Sequence, residues 1–146
     1  MRVASRCLLT VWHCNTTGTY SGSTLIDPDT ILPGQQFDRT TNEGTFLQRI
    51  MNTNFEGTAE FLTIFPSCYT TRSTHIHLMV QTNVSNTDSS YEATSVLLQH
   101  TGQLFFSKSL INSVCELDPY SAHLSTLSRT LNNKDFDPCF LESGWL

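Results

Sequence analysis

The feature that most constrains the fold of this chain is a period-two pattern along residues 74–82, in which aliphatic side chains alternate with mainly polar ones. The aliphatic residues occupy every second position: Ile76, Leu78 and Val80. A period of two residues is typical of a β-strand with one face on a core, whereas a helix would scatter these side chains around its surface. We therefore predict a strand here, with His75 and His77 on the face opposite the aliphatic residues.

The composition favours one β-rich domain over residues 1–146. Hydrophobic residues make up 38% of the 146 positions, which suits a single compact core and leaves little room for a second. Charged residues make up only 14%, against about 25% in an average soluble protein. Ser, Thr and Asn take their place, and such a Thr-rich composition favours strands over a charged helical bundle.

Further strands are predicted where short apolar segments lie between turn residues. They fall at residues 8–13, 46–51, 60–65, 95–100 and 103–106. Residues 23–44 contain Asp-Pro and Pro-Gly pairs with few apolar residues between them, which predicts a long surface excursion. Apolar residues at helical spacing predict two short helices, 109–117 and 123–131. We expect an all-β fold, a β-sandwich with short C-terminal helical segments.

Charge and hydropathy exclude two classes of partner. The net charge is −5 and the 8 Lys and Arg residues are scattered along the chain, so no nucleic-acid partner is expected. The longest apolar runs are far shorter than the roughly 20 residues that cross a bilayer, so no membrane span is expected. The first residues also lack the continuous apolar core of a signal peptide.

The cysteine pattern argues against a structural zinc site, because none of the five cysteines belongs to a CxxC pair. They are Cys7, Cys14, Cys68, Cys115 and Cys139. Their odd number leaves at least one thiol free or paired between chains. Cys14 and Cys68 either form a disulfide or are buried thiols, and the sequence leaves both interpretations open.

The two histidines of the predicted strand form a candidate metal site. Side chains at positions i and i+2 of a strand project side by side, so both imidazoles can bind one ion. The simpler alternative is a pair of exposed strand histidines without a metal. Three nearby residues strengthen the metal hypothesis: Tyr20, Tyr69 and Arg72.

Four spaced motifs extend this pattern: VWHCNTTGTYSG, TFLQRIMNTNFEG, EFLTIFPSCYTTRSTHIH and HTGQLFF. Together they resemble the intradiol ring-cleavage dioxygenases, most closely their fungal extracellular branch. The resemblance runs in order from about Val11 to about Phe106. It implies a β-sandwich enzyme that opens catechols with a non-haem ferric iron and O2.

The resemblance also implies a role for each site residue. The iron ligands would be Tyr20, Tyr69, His75 and His77. Two tyrosinates are hard anionic donors that favour Fe(III) over Fe(II). Tyr69 would be the tyrosinate that leaves when a catechol binds and takes up one of its protons, so we assign it a catalytic role as well. Arg72 would lie against the substrate ring and stabilise the negative charge that develops on it.

We therefore expect a dioxygenase that cleaves a catechol-type ring between its two hydroxylated carbons. A family member without catalysis, acting as a binding module or on another phenolic substrate, is the alternative. Relatives in the family extend beyond both ends of this chain, so we expect a truncated domain that functions as a homo-oligomer, because open sandwich edges seek a partner. The family resemblance implies an extracellular location, whereas the lack of a visible export signal implies a cytoplasmic one.

Overall fold

The computed structural model describes residues 7–22, 43–69, 71–83, 85–87, 90–92, 97–125 and 127–135. The predicted surface excursion at residues 23–44 lies outside the described residues, apart from positions 43 and 44 at its end. Cys139 also lies outside them.

A four-stranded antiparallel sheet dominates the fold, with strand order β2-β1-β3-β6. Its strands are β1 (Leu8–Trp12), β2 (Gln48–Asn52), β3 (His75–Thr82) and β6 (Leu97–Phe105). A separate hairpin pairs β4 (Ser85–Thr87) with β5 (Ser90–Glu92). The strands predicted at residues 8–13, 46–51 and 74–82 are thus confirmed to within two residues at each end.

The two segments predicted around Gly102 form one strand instead of two. β6 passes through Gly102 without a break and pairs with β3 along its whole length. A Cβ atom at Gly102 would lie only 2.6 Å from Nε2 of His100, so this glycine makes room for a neighbouring side chain and does not end the strand. The register shifts once, between Val80 and Gln81.

The strand predicted at residues 60–65 is wrong, because this segment pairs with no neighbouring strand in the described part of the chain. Side chains hold it instead. Nε2 of His13 lies 2.7 Å from the hydroxyl of Thr63, and the hydroxyl of Tyr120 donates to the carbonyl of Phe65 at 2.7 Å. A short apolar segment does not form a strand where its backbone has no ladder partner.

The C-terminal half of the described chain contains two short helices, α1 (Lys108–Cys115) and α2 (Tyr120–Leu124), and the 3₁₀ helix Asn132–Lys134. Ser107 caps α1 by accepting a hydrogen bond from the amide of Leu110. The helix predicted at residues 109–117 is therefore confirmed. The one predicted at 123–131 is wrong in position, because α2 begins directly after Pro119 and ends at Leu124.

Burial is concentrated at one end of the sheet, where Tyr20, Tyr69 and Cys14 pack together against Trp12. Among the described strands β6 lies at one edge of the sheet, with Leu97 and Leu98 more than half exposed. The described residues thus form one sheet and one hairpin, and the second layer of the predicted sandwich stays a prediction. Within the described ranges, no helix has the length and apolar character needed to cross a bilayer.

Candidate metal centre

Tyr20 is presented by a tight turn that follows β1. The side-chain oxygen of Asn15 accepts hydrogen bonds from the amides of Thr17 and Thr19 at 2.9 and 3.0 Å. The amide of Asn15 donates to the carbonyl of Thr19 at 2.9 Å. Gly18 adopts a φ of +75° inside this turn, a conformation that favours glycine. The turn reverses the chain and leaves the ring of Tyr20 buried.

Tyr69 ends a segment that is fastened to the same turn. The amide of Ser67 donates to the carbonyl of Asn15 at 3.2 Å, and the Cys14 thiol donates to the carbonyl of Ser67 at 3.2 Å. The ring of Tyr69, which is 0% exposed, meets the ring of Tyr20 edge-on with centroids 5.6 Å apart. Two segments far apart in sequence therefore present their phenol groups to each other.

His75 and His77 lie at the start of β3, beside the two tyrosines. Nδ1 of His75 donates to the carbonyl of Ser73 at 2.7 Å. Because a carbonyl can only accept, Nδ1 carries the proton and Nε2 presents its lone pair. The ring of His77 lies parallel to that of Trp12, with centroids 4.8 Å apart and planes 2° apart. These contacts orient both imidazoles while leaving their Nε2 atoms directed at the tyrosines.

The four donor atoms converge on one point. Oη of Tyr20 lies 3.2 Å from Nε2 of His75 and 3.0 Å from Nε2 of His77. Oη of Tyr69 lies 3.4 Å from Oη of Tyr20 and 3.4 Å from Nε2 of His75. The two Nε2 atoms are 3.1 Å apart. The structure thus brings together all four residues that the sequence nominates as metal ligands.

These separations suit a single first-row metal ion. Two atoms each bonded to one ion at about 2.05 Å are roughly 2.9 Å apart at a right angle and roughly 3.5 Å apart at 120°. Two phenol oxygens that ionise on binding would bring two negative charges, which suits a hard, highly charged cation. In the part of the chain that the structure describes, no group of three or more His, Cys, Asp or Glu side chains offers another metal site.

Arg72 lies beside this cluster and is 5% exposed. Its amide donates to the carbonyl of Tyr69 at 3.0 Å. Its guanidinium forms an ion pair with Asp135, with Nε 3.0 Å from Oδ1, and Nη2 donates to Oε1 of Gln103. Gln103 is the residue of β6 that pairs with His77. Gln103 thus connects the guanidinium of Arg72 to strand β3, which carries both candidate histidines.

The remaining described histidines have positions that agree with a structural role. His13 is buried, with Nδ1 2.7 Å from the carbonyl of Cys14. Burial lowers the pKa of His13, although the hydrogen bond to that carbonyl acts in the opposite direction. His123 of α2 lies with Nε2 3.1 Å from the carbonyl of Cys68 and so ties the helix to the Tyr69 segment. His100 is exposed.

Cys14 and Cys68 are buried free thiols, which decides between the two interpretations of the sequence. Burial raises the pKa of Cys14 to about 12 and that of Cys68 to about 11. Both therefore remain neutral at physiological pH. Cys115 is also a free thiol, and both it and Cys7 are partly exposed.

Three residues at this site were not predicted from the sequence in these roles: Trp12, Gln103 and Asp135. Trp12 is a sheet-face aromatic by its pattern, and its stack on His77 follows only from the pairing of β1 with β3. Gln103 lies in the HTGQLFF motif, and its position beside His77 follows from the register of β3 and β6, which the sequence does not give. Asp135 is 63 residues from Arg72 along the chain, and no local pattern indicates their contact.

Comparison with known proteins identifies the fold. No protein-family profile and no curated protein matches the chain. Among solved structures, an intradiol ring-cleavage dioxygenase from Tetranychus urticae matches with a TM-score of 0.71 and 24% sequence identity, over 95% of this chain and 60% of that one. A second structure, a crystal structure of a dioxygenase, matches with the same TM-score of 0.71, the same 24% identity and the same coverage. This chain spans 60% of the length of the structures it matches. It shares the fold of the intradiol ring-cleavage dioxygenases.

Proposed function

We propose that this chain binds a non-haem ferric iron and cleaves a catechol-type ring between its two hydroxylated carbons with O2. The observation that carries the proposal is the convergence of two phenol oxygens and two imidazole nitrogens with separations of 3.0 to 3.4 Å. The ligands would be Tyr20, Tyr69, His75 and His77. The sequence motifs, which resemble the fungal extracellular branch of the family, support the same assignment.

The donor set fits the charge of the ion. Two tyrosinates contribute two negative charges and the neutral imidazoles contribute none, so one hydroxide would complete the balance for Fe(III). Bound ferric iron supplies Lewis acidity and draws electron density from a catecholate, which makes the ring carbons reactive towards O2. The side chain of Tyr69 is 0% exposed, so its phenol oxygen is shielded from bulk water.

The residues of the chain have separate roles in this chemistry. Tyr69 would accept a proton from the incoming catechol at its phenol oxygen and would then no longer be a ligand. The net charge of the site would therefore stay constant. His75 keeps its proton on Nδ1, which donates a hydrogen bond to the Ser73 carbonyl, and its Nε2 stays available as a ligand throughout. Arg72 would stabilise negative charge on the substrate oxygen through its guanidinium.

The proposed small-molecule partners are a catechol or another phenol and O2. The homo-oligomer expected from the open sheet edges stays a prediction, and light scattering of the purified chain tests it. An extracellular location also stays a prediction, with a cytoplasmic one as the alternative, and cell fractionation distinguishes the two.

Iron content, colour and oxygen uptake test the proposed function. Tyrosinate ligands to Fe(III) absorb visible light, so the loaded protein should be coloured, contain one iron per chain and consume O2 when a catechol is added. His75→Ala and His77→Ala should lose both iron and colour, whereas Arg72→Ala should keep both and turn over substrate much more slowly. His100→Ala, an exposed histidine on the same sheet, is the matched control.

Two results would count against the proposal. A colourless protein that binds no iron when Fe(III) is supplied contradicts the ligand set. A coloured protein that binds catechols and never consumes O2 supports the alternative, a family member that acts as a binding module.

A further inference from the structure

The carboxylate of Asp135 lies buried at the base of the loop that joins Tyr69 to His75. Its side chain is 0% exposed. Oδ1 accepts a hydrogen bond from Nε of Arg72 at 3.0 Å, and Oδ2 accepts one from the amide of Ser73. One side chain from the end of the described chain therefore holds two consecutive residues of the loop.

Two side chains among the described residues hold the guanidinium of Arg72. Asp135 contacts it through Nε, and Gln103 contacts it through Nη2. Two hydrogen bonds on different nitrogens fix both the position and the plane of a guanidinium. An arginine that is ordered before the substrate arrives loses less conformational freedom when it begins to stabilise charge, which makes it more effective.

Asn132 strengthens the same attachment. The hydroxyl of Ser73 donates to Oδ1 of Asn132 at 2.6 Å, and Nδ2 of Asn132 donates to the carbonyl of Phe106 at 2.9 Å. Asn132 of the 3₁₀ helix is thus bound both to the residue directly after β6 and to Ser73 of the loop. Asp135 follows this helix by one residue.

We propose that Asp135 is a positioning residue that holds the guanidinium of Arg72 in place for ring cleavage. This inference rests on the proposed function, because it assigns Arg72 the task of stabilising charge on the substrate. In this role Asp135 acts through Arg72, whose Nε donates to its carboxylate. Its removal should therefore affect turnover more than iron binding.

A double-mutant cycle tests this role in the iron-loaded chain. Asp135→Ala should lower kcat for catechol by about 10- to 100-fold. Asp135→Asn should recover most of that loss, because an amide oxygen still accepts from Nε of Arg72. In an Arg72→Ala background, Asp135→Ala should change kcat by less than about 2-fold. Iron content and the visible absorption band should stay unchanged in all variants, as they should in the control Glu56→Ala, which removes an exposed carboxylate.

A second measurement separates this inference from the proposed function and does not depend on activity. In the ¹H–¹⁵N spectrum of chain loaded with diamagnetic Ga(III), the Nε–H signal that Arg72→Lys removes should exchange slowly with solvent. Asp135→Asn should shift it, and Asp135→Ala should make it exchange fast. If the signal behaves so in a chain that cleaves no catechol, Asp135 holds Arg72 and the proposed function is wrong.

Two results would overturn the inference. The first is a protected Arg72 signal that is indifferent to both Asp135 variants. The second is an active enzyme in which Asp135→Ala costs as much without Arg72 as with it.

Discussion

The indole of Trp12 and the imidazole of His77 stack in parallel, with ring centroids 4.8 Å apart and planes 2° apart. The two residues are direct cross-strand partners, the last residue of β1 and the third of β3. Cross-strand neighbours on one face approach closely enough for their rings to meet. The pairing of two strands thus sets the plane of a candidate metal ligand.

Replacement of Trp12 should weaken iron binding through the loss of this stack. Outer contacts of metal-binding histidines typically contribute 10- to 100-fold in affinity, so we expect Trp12→Leu to lower iron affinity by about 10-fold. Trp12→Phe keeps an aromatic face and should lose less. Chelator competition, followed through the visible band, measures both variants. Equal affinities for the Leu variant and the original chain would contradict a role for the stack.

A methyl group at Gly18 should disrupt the contact between the two tyrosine-bearing segments. A Cβ there would lie 3.0 Å from the carbonyl oxygen of Cys68 and 3.1 Å from Cβ of Tyr69. Gly57 is a matched control, because its φ of +79° is similar and nothing lies within 4 Å of an added Cβ. We expect Gly57→Ala to lower the free energy of unfolding by about 1 kcal/mol, and Gly18→Ala by about 2 to 4 kcal/mol. Urea titration measures both, and equal losses would show that the close approach is unimportant.

The buried His13 should make stability depend on pH in mildly acid solution. Burial lowers its pKa from 6.5, so the unfolded chain binds the proton more readily than the folded one. Its contribution is therefore complete above pH 6.5 and decreases as the pH falls towards the folded-state pKa. The slope reaches at most about 1.4 kcal/mol per pH unit for one proton. Chemical unfolding between pH 5 and pH 8 should show a weaker slope in His13→Asn. An unchanged slope would assign the effect to other groups.

The buried thiols should resist modification while the chain is folded. The pKa of Cys14 is about 12 and that of Cys68 about 11, against 9.0 for an exposed thiol. At pH 8 their thiolate populations are lower by about 1000-fold and about 100-fold, and burial slows attack further. Alkylation followed by peptide mass spectrometry should label Cys115 first, and the buried pair only in denaturant. Early labelling of Cys14 would show that its segment opens readily.

The same shifts act on stability at alkaline pH. A thiol whose pKa is raised in the folded state stabilises the fold below pH 9.0, and this contribution is lost as the pH rises towards 11 and 12.

Local patterns were sufficient for the elements that have a partner on the sheet. The period-two pattern along residues 74–82 predicts β3 correctly, and this strand lies between two neighbours in the sheet. The short apolar segment at residues 60–65 misleads, because no strand lies beside it in the described chain. Whether a ladder partner exists depends on the whole fold, and a six-residue pattern carries no information about that.

The candidate site also has a part that the sequence predicts and a part that it does not. Two histidines two residues apart and two tyrosines near tight turns are visible as motifs, and the structure brings their donor atoms together. The contacts that support them join residues far apart in the chain, such as Arg72 and Asp135. Such pairs depend on how loops meet after the sheet has formed, so neither spacing nor composition predicts them.

The direction of β3 has a practical consequence for work with this protein. His75 is its first residue and Thr82 its last, and the hairpin of β4 and β5 follows beyond Thr82. A rise of about 3.3 Å per residue puts the far end of the strand roughly 17 Å from His77. A fluorescent label or affinity tag attached to either strand of that hairpin should therefore lie well away from the cluster of two tyrosines and two histidines, and immobilisation through it should leave that cluster undisturbed.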